Sequence, residues 1–248
     1  MKLQVSDLSY SYQDMPVLNQ ISFSLQQSEF VSILGPSGCG KSTILNLLAG
    51  LLPMQQGSIS VEGEAIHGIS GHFAYMPQND LLFPWKTILD NVCLYGTIHG
   101  QKKQARAEAL KNFAAFGLDG FESAYPSSLS GGMRQRAAFL RTALCEADIL
   151  LLDEPFGALD VISRGDMQDW LLSIRERLNR TVLLVTHDTD EAIYLSDRIL
   201  ILGQKPSQIV RELKITEKNR SREWLYGQGE LRQLIYQTIR KGTKSNDL

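Results

Sequence analysis

Residues 30–43 read Phe30-Val31-Ser32-Ile33-Leu34-Gly35-Pro36-Ser37-Gly38-Cys39-Gly40-Lys41-Ser42-Thr43. Phe30 to Leu34 is an apolar run of strand length, and the following Ile44, Leu45, Leu47 and Leu48 fall at helical spacing. Between them lies a complete G-x-x-x-x-G-K-[ST] loop, in the strand-loop-helix setting that separates this pattern from an ordinary glycine turn. Its glycines let consecutive backbone N–H groups converge on a polyphosphate, and the helix N-terminus adds its positive end. Lys41 then reaches the β and γ phosphates, and the Ser42 hydroxyl is a ligand for Mg²⁺. The implied ligand is a nucleoside triphosphate held by Gly35, Pro36, Ser37, Gly38, Cys39, Gly40, Lys41, Ser42 and Thr43. Cys39 sits where a helix N-terminus favours a thiolate, and it reads either as an alkylation-sensitive thiol or as a small loop filler.

Working outward, Ile149 to Leu152 is a second buried strand, ending in Asp153-Glu154. Carboxylates at the C-terminal end of such a strand lie where parallel α/β sheets hold ligands. Asp153 is placed to coordinate Mg²⁺, and Glu154 to polarise a water for in-line attack on the γ phosphate. Thr181 to Thr186 is a third strand. His187 follows it at the same sheet edge, within reach of the γ phosphate and the attacking water, before Asp188-Thr189-Asp190-Glu191 opens a helix. His67, His72 and His99 have no such context and read as surface residues. Met167, Trp170, Leu171, Ile174 and Leu178 share one helical face between these strands, so the alternation implies a parallel sheet covered by helices. Leu3, Val5, Leu8, Ile21, Phe23 and Leu25 alternate as antiparallel strands at a sheet edge. Residues 101–117 form an amphipathic helix with Ala109, Leu110, Phe113 and Phe116 on one face, ending near Gly117. A last helix is expected at 229–240, with a frayed tail from Lys241.

The composition is that of an ordinary globular chain of 248 residues, 43% hydrophobic and 21% charged. With 25 basic and 27 acidic residues there is no basic footprint for nucleic acid. No apolar run approaches the ~20 residues of a membrane span. The N-terminus lacks an apolar h-region, and the three cysteines stand at unrelated spacings, so the expected compartment is the reducing cytoplasm.

Leu129-Ser130-Gly131-Gly132-Met133-Arg134-Gln135-Arg136 resembles the signature sequence of ATP-binding-cassette ATPases and lies between the two nucleotide motifs, as in that family. Ser130 with the Gly131 and Gly132 amides makes a second anion site at a helix start. The resemblance implies that this site closes on ATP held by a second ATPase subunit, in a head-to-tail dimer. Gln78, in Tyr75-Met76-Pro77-Gln78, looks like the Q-loop glutamine that senses Mg²⁺ and the attacking water; Ala158-Leu159-Asp160 looks like the D-loop that crosses the interface. Tyr12 looks like the aromatic that stacks on adenine, with Tyr10 as its competitor. Met133 departs from the glutamine common there, and no hydrogen-bonding role is assigned to it. The implied fold is α/β, a P-loop NTPase (RecA-like) core with an N-terminal antiparallel β subdomain and an inserted α-helical subdomain. The expected boundaries are 1–78 and 147–216 for the core with its β subdomain, 79–146 for the helical subdomain and 217–248 for a C-terminal helical tail.

Residues 44–128 are too few for the long coiled coil of chromosome-maintenance relatives, one set of motifs does not fit a two-cassette translation factor, and no fused membrane domain marks an exporter. A separate subunit docking on permease chains remains. Leu81-Leu82-Phe83-Pro84-Trp85 reads either as an apolar surface turn for a permease helix or as packing in the helical subdomain. Together with residues 186–192 and 195–198, residues 81–92 resemble the ATPases of nitrate, sulfonate, taurine and thiamine-precursor importers. The implied reading is an ATP-hydrolysing import subunit, peripheral on the cytoplasmic face of the cell membrane and linked only indirectly to an extracytoplasmic solute-binding protein. A soluble regulatory or assembly ATPase is the alternative from another class.

Overall fold

The computed structural model describes residues 1–244. In chain order come β1 (Leu3–Tyr12), β2 (Met15–Leu25), β3 (Phe30–Leu34), α1 (Lys41–Leu48), β4 (Gln56–Val61), β5 (Glu64–Ala65) and β6 (Phe73–Met76). Four helices follow, α2 (Ile88–Val92), α3 (Leu94–Ile98), α4 (Lys102–Phe113) and α5 (Gly131–Ala143). The chain then alternates through β7 (Ile149–Asp153), α6 (Val161–Leu178), β8 (Thr181–Thr186), α7 (Thr189–Leu195) and β9 (Arg198–Leu202). It closes with β10 (Ile209–Lys214), α8 (Arg222–Tyr226) and α9 (Gly229–Lys244).

The strands form a six-stranded sheet in the order β10-β9-β3-β8-β7-β6 and a four-stranded sheet in the order β2-β1-β4-β5. The first is parallel except for β10, which pairs antiparallel with β9. β3, β7 and β8 are buried along their whole length, which is why they read as continuous apolar runs and not as alternations. The two-residue period instead divides them between two cores. Phe30 and Leu34, Leu150 and Leu152, and Val182 and Leu184 pack with the helices α2 and α4 to α7. Val31 and Ile33, Ile149 and Leu151, and Leu183 and Val185 pack with α1 and the four-stranded sheet. The β3–α1 loop thus emerges from the centre of the sheet, clamped from both sides.

β1 and β2 do not extend the parallel sheet as an edge; they belong to their own antiparallel layer. The two layers join where Asn19 N–H donates to the Ser207 carbonyl at 2.9 Å and Ser207 N–H to the Val17 carbonyl at 2.8 Å. Along α4, Ala109 and Phe113 are buried and Phe116 follows them, whereas Leu110 is 46% exposed: positions 109, 113 and 116 share a stripe from which 110 is turned by about 100°. The helical path of α4 closes at Gly117 with φ of 62°, where Leu118 N–H bonds the Phe113 carbonyl and Gly117 N–H the Ala114 carbonyl, a Schellman closure. α9 continues to Lys244 and does not fray at 241; residues 245–248 lie outside the described residues. His72, expected at the surface, is half-buried and pairs with Asp148 at 2.9 Å; Asp148 also meets Lys2 at 3.2 Å.

Candidate nucleotide site

The loop after β3 turns through two left-handed glycines, Gly38 with φ of 76° and Gly40 with φ of 106°. A side chain at Gly40 would also strike Val17 and Leu18 at 2.8 Å, so glycine there is required twice over. α1 starts at Lys41, which is buried and folds back so that Nζ donates to the carbonyls of Gly35 at 2.9 Å and Pro36 at 3.0 Å. An ammonium held over the loop mouth in this way is positioned for phosphate before any arrives. Ser37, Gly38, Gly40, Lys41, Ser42 and Thr43 line a cavity of about 270 Å³ with Glu154 and Lys205. Lys205 adds a second ammonium that sequence reading missed, since nothing local marks it. Cys39 is not a poised thiolate. It is 2% exposed, and burial raises its pKa despite the nearby Lys41 charge, so loop filler is the reading that stands.

β7 delivers the two carboxylates. Asp153, its last residue, accepts from Ser42 Oγ at 3.0 Å through one oxygen and from Tyr75 OH at 3.0 Å through the other. Burial raises its pKa, an effect only partly offset by these two bonds. The neighbouring hydroxyl and carboxylate are hard oxygen donors side by side, a donor set that fits Mg²⁺. The role of Tyr75 was invisible in sequence because β6 and β7 pair only in the fold. Glu154 leaves the strand with φ of 45°, anchored by its N–H to the Val185 carbonyl at 2.9 Å. That turn aims its carboxylate at His187 Nδ1, 3.1 Å away, and at Gln78 Nε2, 3.5 Å away. The three residues read as catalytic are therefore one contact group, although they come from three segments.

Around it, Arg164 on α6 donates to the Phe156 carbonyl at 3.3 Å and the Leu159 carbonyl at 3.1 Å, and lies 3.8 Å from Asp188. It ties the 156–160 loop to the 186–188 loop. Asp160 caps α6 by accepting from Ile162 N–H at 3.1 Å and Ser163 N–H at 3.0 Å. Ser130 caps α5 through Met133 N–H at 3.3 Å, with Gly131 and Gly132 in the first turn, and the Met133 side chain packs on the core. Ser130, Gly131 and Gly132 are not among the residues lining the Lys41 cavity. Arg134 and Arg141 link this helix to the loop after Gln78, through Asp80 Oδ2 at 3.2 Å and the Leu81 carbonyl at 2.8 Å. Of the two aromatic candidates, Tyr10 is buried, whereas Tyr12 is exposed and stands edge-on to it at 5.0 Å. Trp85 is 70% exposed, which answers the question of core packing against surface turn. Asn91, fully buried, braces that turn through Phe83, Lys86 and Thr87.

Glu191, in the first turn of α7, is buried and accepts from Thr186 Oγ1 at 2.5 Å; burial raises its pKa to about 7. A carboxyl whose native pKa stands above its unfolded value contributes stability that is full below pH ~4.5 and is lost as pH rises through ~7, about 3 kcal/mol in all. Glu191→Gln stays neutral and keeps an oxygen for Thr186. It is therefore expected to be the more stable protein above pH 7 and to lose the slope between pH 5 and 7, as read by urea unfolding at pH 5.5 and 8.

The family model described as ABC transporter matches residues 18–157. The chain belongs to the ABC transporter family. It is 46% identical to the formylaminopyrimidine import ATP-binding protein ThiZ of Halalkalibacterium halodurans, over 86% of this chain and 84% of that one. It is 40% identical to the taurine import ATP-binding protein TauB of Escherichia coli over the same shares. The fold is similar to the dimeric structure of the bacterial ABC transporter cassette MJ0796, with a TM-score of 0.73 and 27% identity over 87% of this chain and 99% of that one. That cassette has also been solved bound to ADP and Pi. The chain is an ABC ATPase with a P-loop NTPase core, and its nucleotide is ATP.

Proposed function

We propose that this chain hydrolyses ATP to energise import of a small anionic or heterocyclic solute, of the sulfonate, nitrate, taurine or thiamine-precursor kind, through separate permease chains. The observation that supports hydrolysis most directly is the meeting of Glu154, His187 and Gln78 beside the Lys41 cavity. The glycine loop, the start of α1 and Lys41 hold the β and γ phosphates, and Tyr12 offers its face to the adenine. Ser42, Asp153 and Gln78 would hold Mg²⁺, which would supply charge neutralisation at the phosphates. Glu154 accepts the proton of the attacking water, and His187 at 3.1 Å orients the carboxylate and the water.

Ser130, Gly131 and Gly132 lie outside their own chain's cavity, which supports their acting on ATP bound by a second copy. Asp160 lies at that interface with Val161 and Ile162, which are 84% and 77% exposed. The likeness to a cassette solved as a dimer is in accord with this arrangement. The solute kind rests on relatives named for taurine and formylaminopyrimidine import. Among the described residues no helix is long and apolar enough to cross a membrane. On this reading a permease chain docks at the turn that exposes Leu81 and Trp85, on the cytoplasmic face. The solute-binding protein acts on the far side of that permease.

The test is co-purification of the tagged chain from detergent-solubilised membranes, with mass spectrometry of its partners. A multi-span permease is expected with the wild-type chain, and several-fold less with Trp85→Ser at equal ATPase activity. Recovery of soluble partners alone would overturn the import reading.

A further inference from the structure

The segment beyond β10 lies outside the matched family region, yet it grips the two helices that follow the catalytic loops. Its apolar face, Leu231, Ile235 and Ile239, packs on the helical core. From it Arg222 donates to Asp169 Oδ1 at 2.9 Å and to the Gly165 carbonyl at 2.6 Å on α6, and lies over the Tyr194 ring of α7 at 4.5 Å. Arg220 donates to the Tyr194 carbonyl at 3.1 Å. The contact nearest the chemistry is Arg232 Nε to Asp190 Oδ1 at 2.5 Å. Arg232 is itself held by the carbonyls of Leu225 at 2.7 Å and Tyr226 at 3.3 Å, so it is a fixed post and not a waving side chain.

Asp190 lies three residues from His187, in the first turn of α7. On the inner side the same turn is tied to the end of β8, because Asp188 N–H donates to Thr186 Oγ1 at 3.0 Å and Thr186 Oγ1 donates to Glu191. His187 and the N-cap Asp188 are thus the two residues between a fixed strand end and a helix whose outer face is held by the C-terminal segment. We propose that Arg232 is a positioning residue: by its ion pair with Asp190 it sets the first turn of α7 so that His187 faces Glu154. The proposal rests on the catalytic reading of His187. Its physical basis is that a sub-ångström shift of an imidazole 3.1 Å from its carboxylate partner is lost catalytic geometry, even where the fold is intact.

The experiment is a double-mutant cycle on the full-length chain, with Arg232→Gln, Asp190→Asn and both together, reading kcat and KM for ATP, thermal midpoint and the ¹⁵N signal of His187 Nδ1. The expected result is a roughly fivefold fall in kcat for each single variant and no further fall in the double. KM is expected to stay within twofold and the His187 Nδ1 signal to move in the same variants, with Arg232→Lys recovering most of kcat. Unchanged kcat in Arg232→Gln, or losses that simply add, would overturn the proposal. If Arg232→Gln does not fold, Asp190→Asn breaks the same ion pair from its other side, and unchanged kcat there overturns the proposal. His187→Ala separates the two readings: turnover surviving there sinks the role of His187, while turnover lost there but untouched by Arg232→Gln sinks the positioning role alone.

Discussion

Glu154→Gln is expected to lower kcat for ATP hydrolysis by at least 10²-fold while leaving ATP affinity within a fewfold of the parent. The amide has the same shape and still accepts hydrogen bonds, but it does not take up the proton of the attacking water, and a placed general base is worth about 10²–10⁴ in rate. Glu154 is held by its N–H on the Val185 carbonyl, in a left-handed conformation that the amide inherits, so the geometry beside His187 survives the exchange. Binding without turnover also predicts accumulation of an ATP-bound dimer, visible as a shift in size-exclusion elution on adding MgATP. Turnover within threefold of the parent would remove Glu154 from the base role.

Lys41→Ala acts on the other half of the site. Lys41 Nζ makes two bonds to the loop's own carbonyls, and its removal takes away both the charge aimed at the phosphates and the strut between the two ends of the loop. A hydrogen bond to a charged group is worth about 1.5–3 kcal/mol, so ATP affinity is expected to fall at least about 10- to 100-fold. Equilibrium binding of a fluorescent ATP analogue reads this directly, and undiminished affinity would contradict the phosphate-loop assignment. The two variants fail in opposite ways, one binding without turning over and one not binding, and that contrast distinguishes a base from a phosphate ligand.

The parts of this protein legible in one dimension are those whose physics is local. A strand of five buried residues, a glycine loop and a helix start are set by steric and periodic rules acting over a few neighbours. Hence Phe30 to Leu48 was readable as strand, loop and helix, and Ser130 and Asp188 sit at helix starts where their side chains cap backbone N–H groups. Gly117 is a similar case, since it closes α4 by a bond pattern six residues long. The carboxylate pair at the end of β7 was readable because a strand end in a parallel sheet is a predictable place.

Contacts that depend on which strands become neighbours were not readable. Tyr75 reaches Asp153 across 78 positions and Ser42 reaches it across 111, both through the pairing order of the six-stranded sheet. Arg164 against Asp188 and Arg232 against Asp190 also join separate elements, and single arginines on helices carry no pattern to mark them. Cys39 shows the same limit from the opposite direction: a helix N-terminus favours a thiolate, but burial under the loop outweighs it. The sequence by itself determined the phosphate loop, the caps and the residue types of the reaction. Only the tertiary structure decided which side chains hold them in place, because desolvation and long-range pairing arise when segments far apart in the chain exclude water from one another.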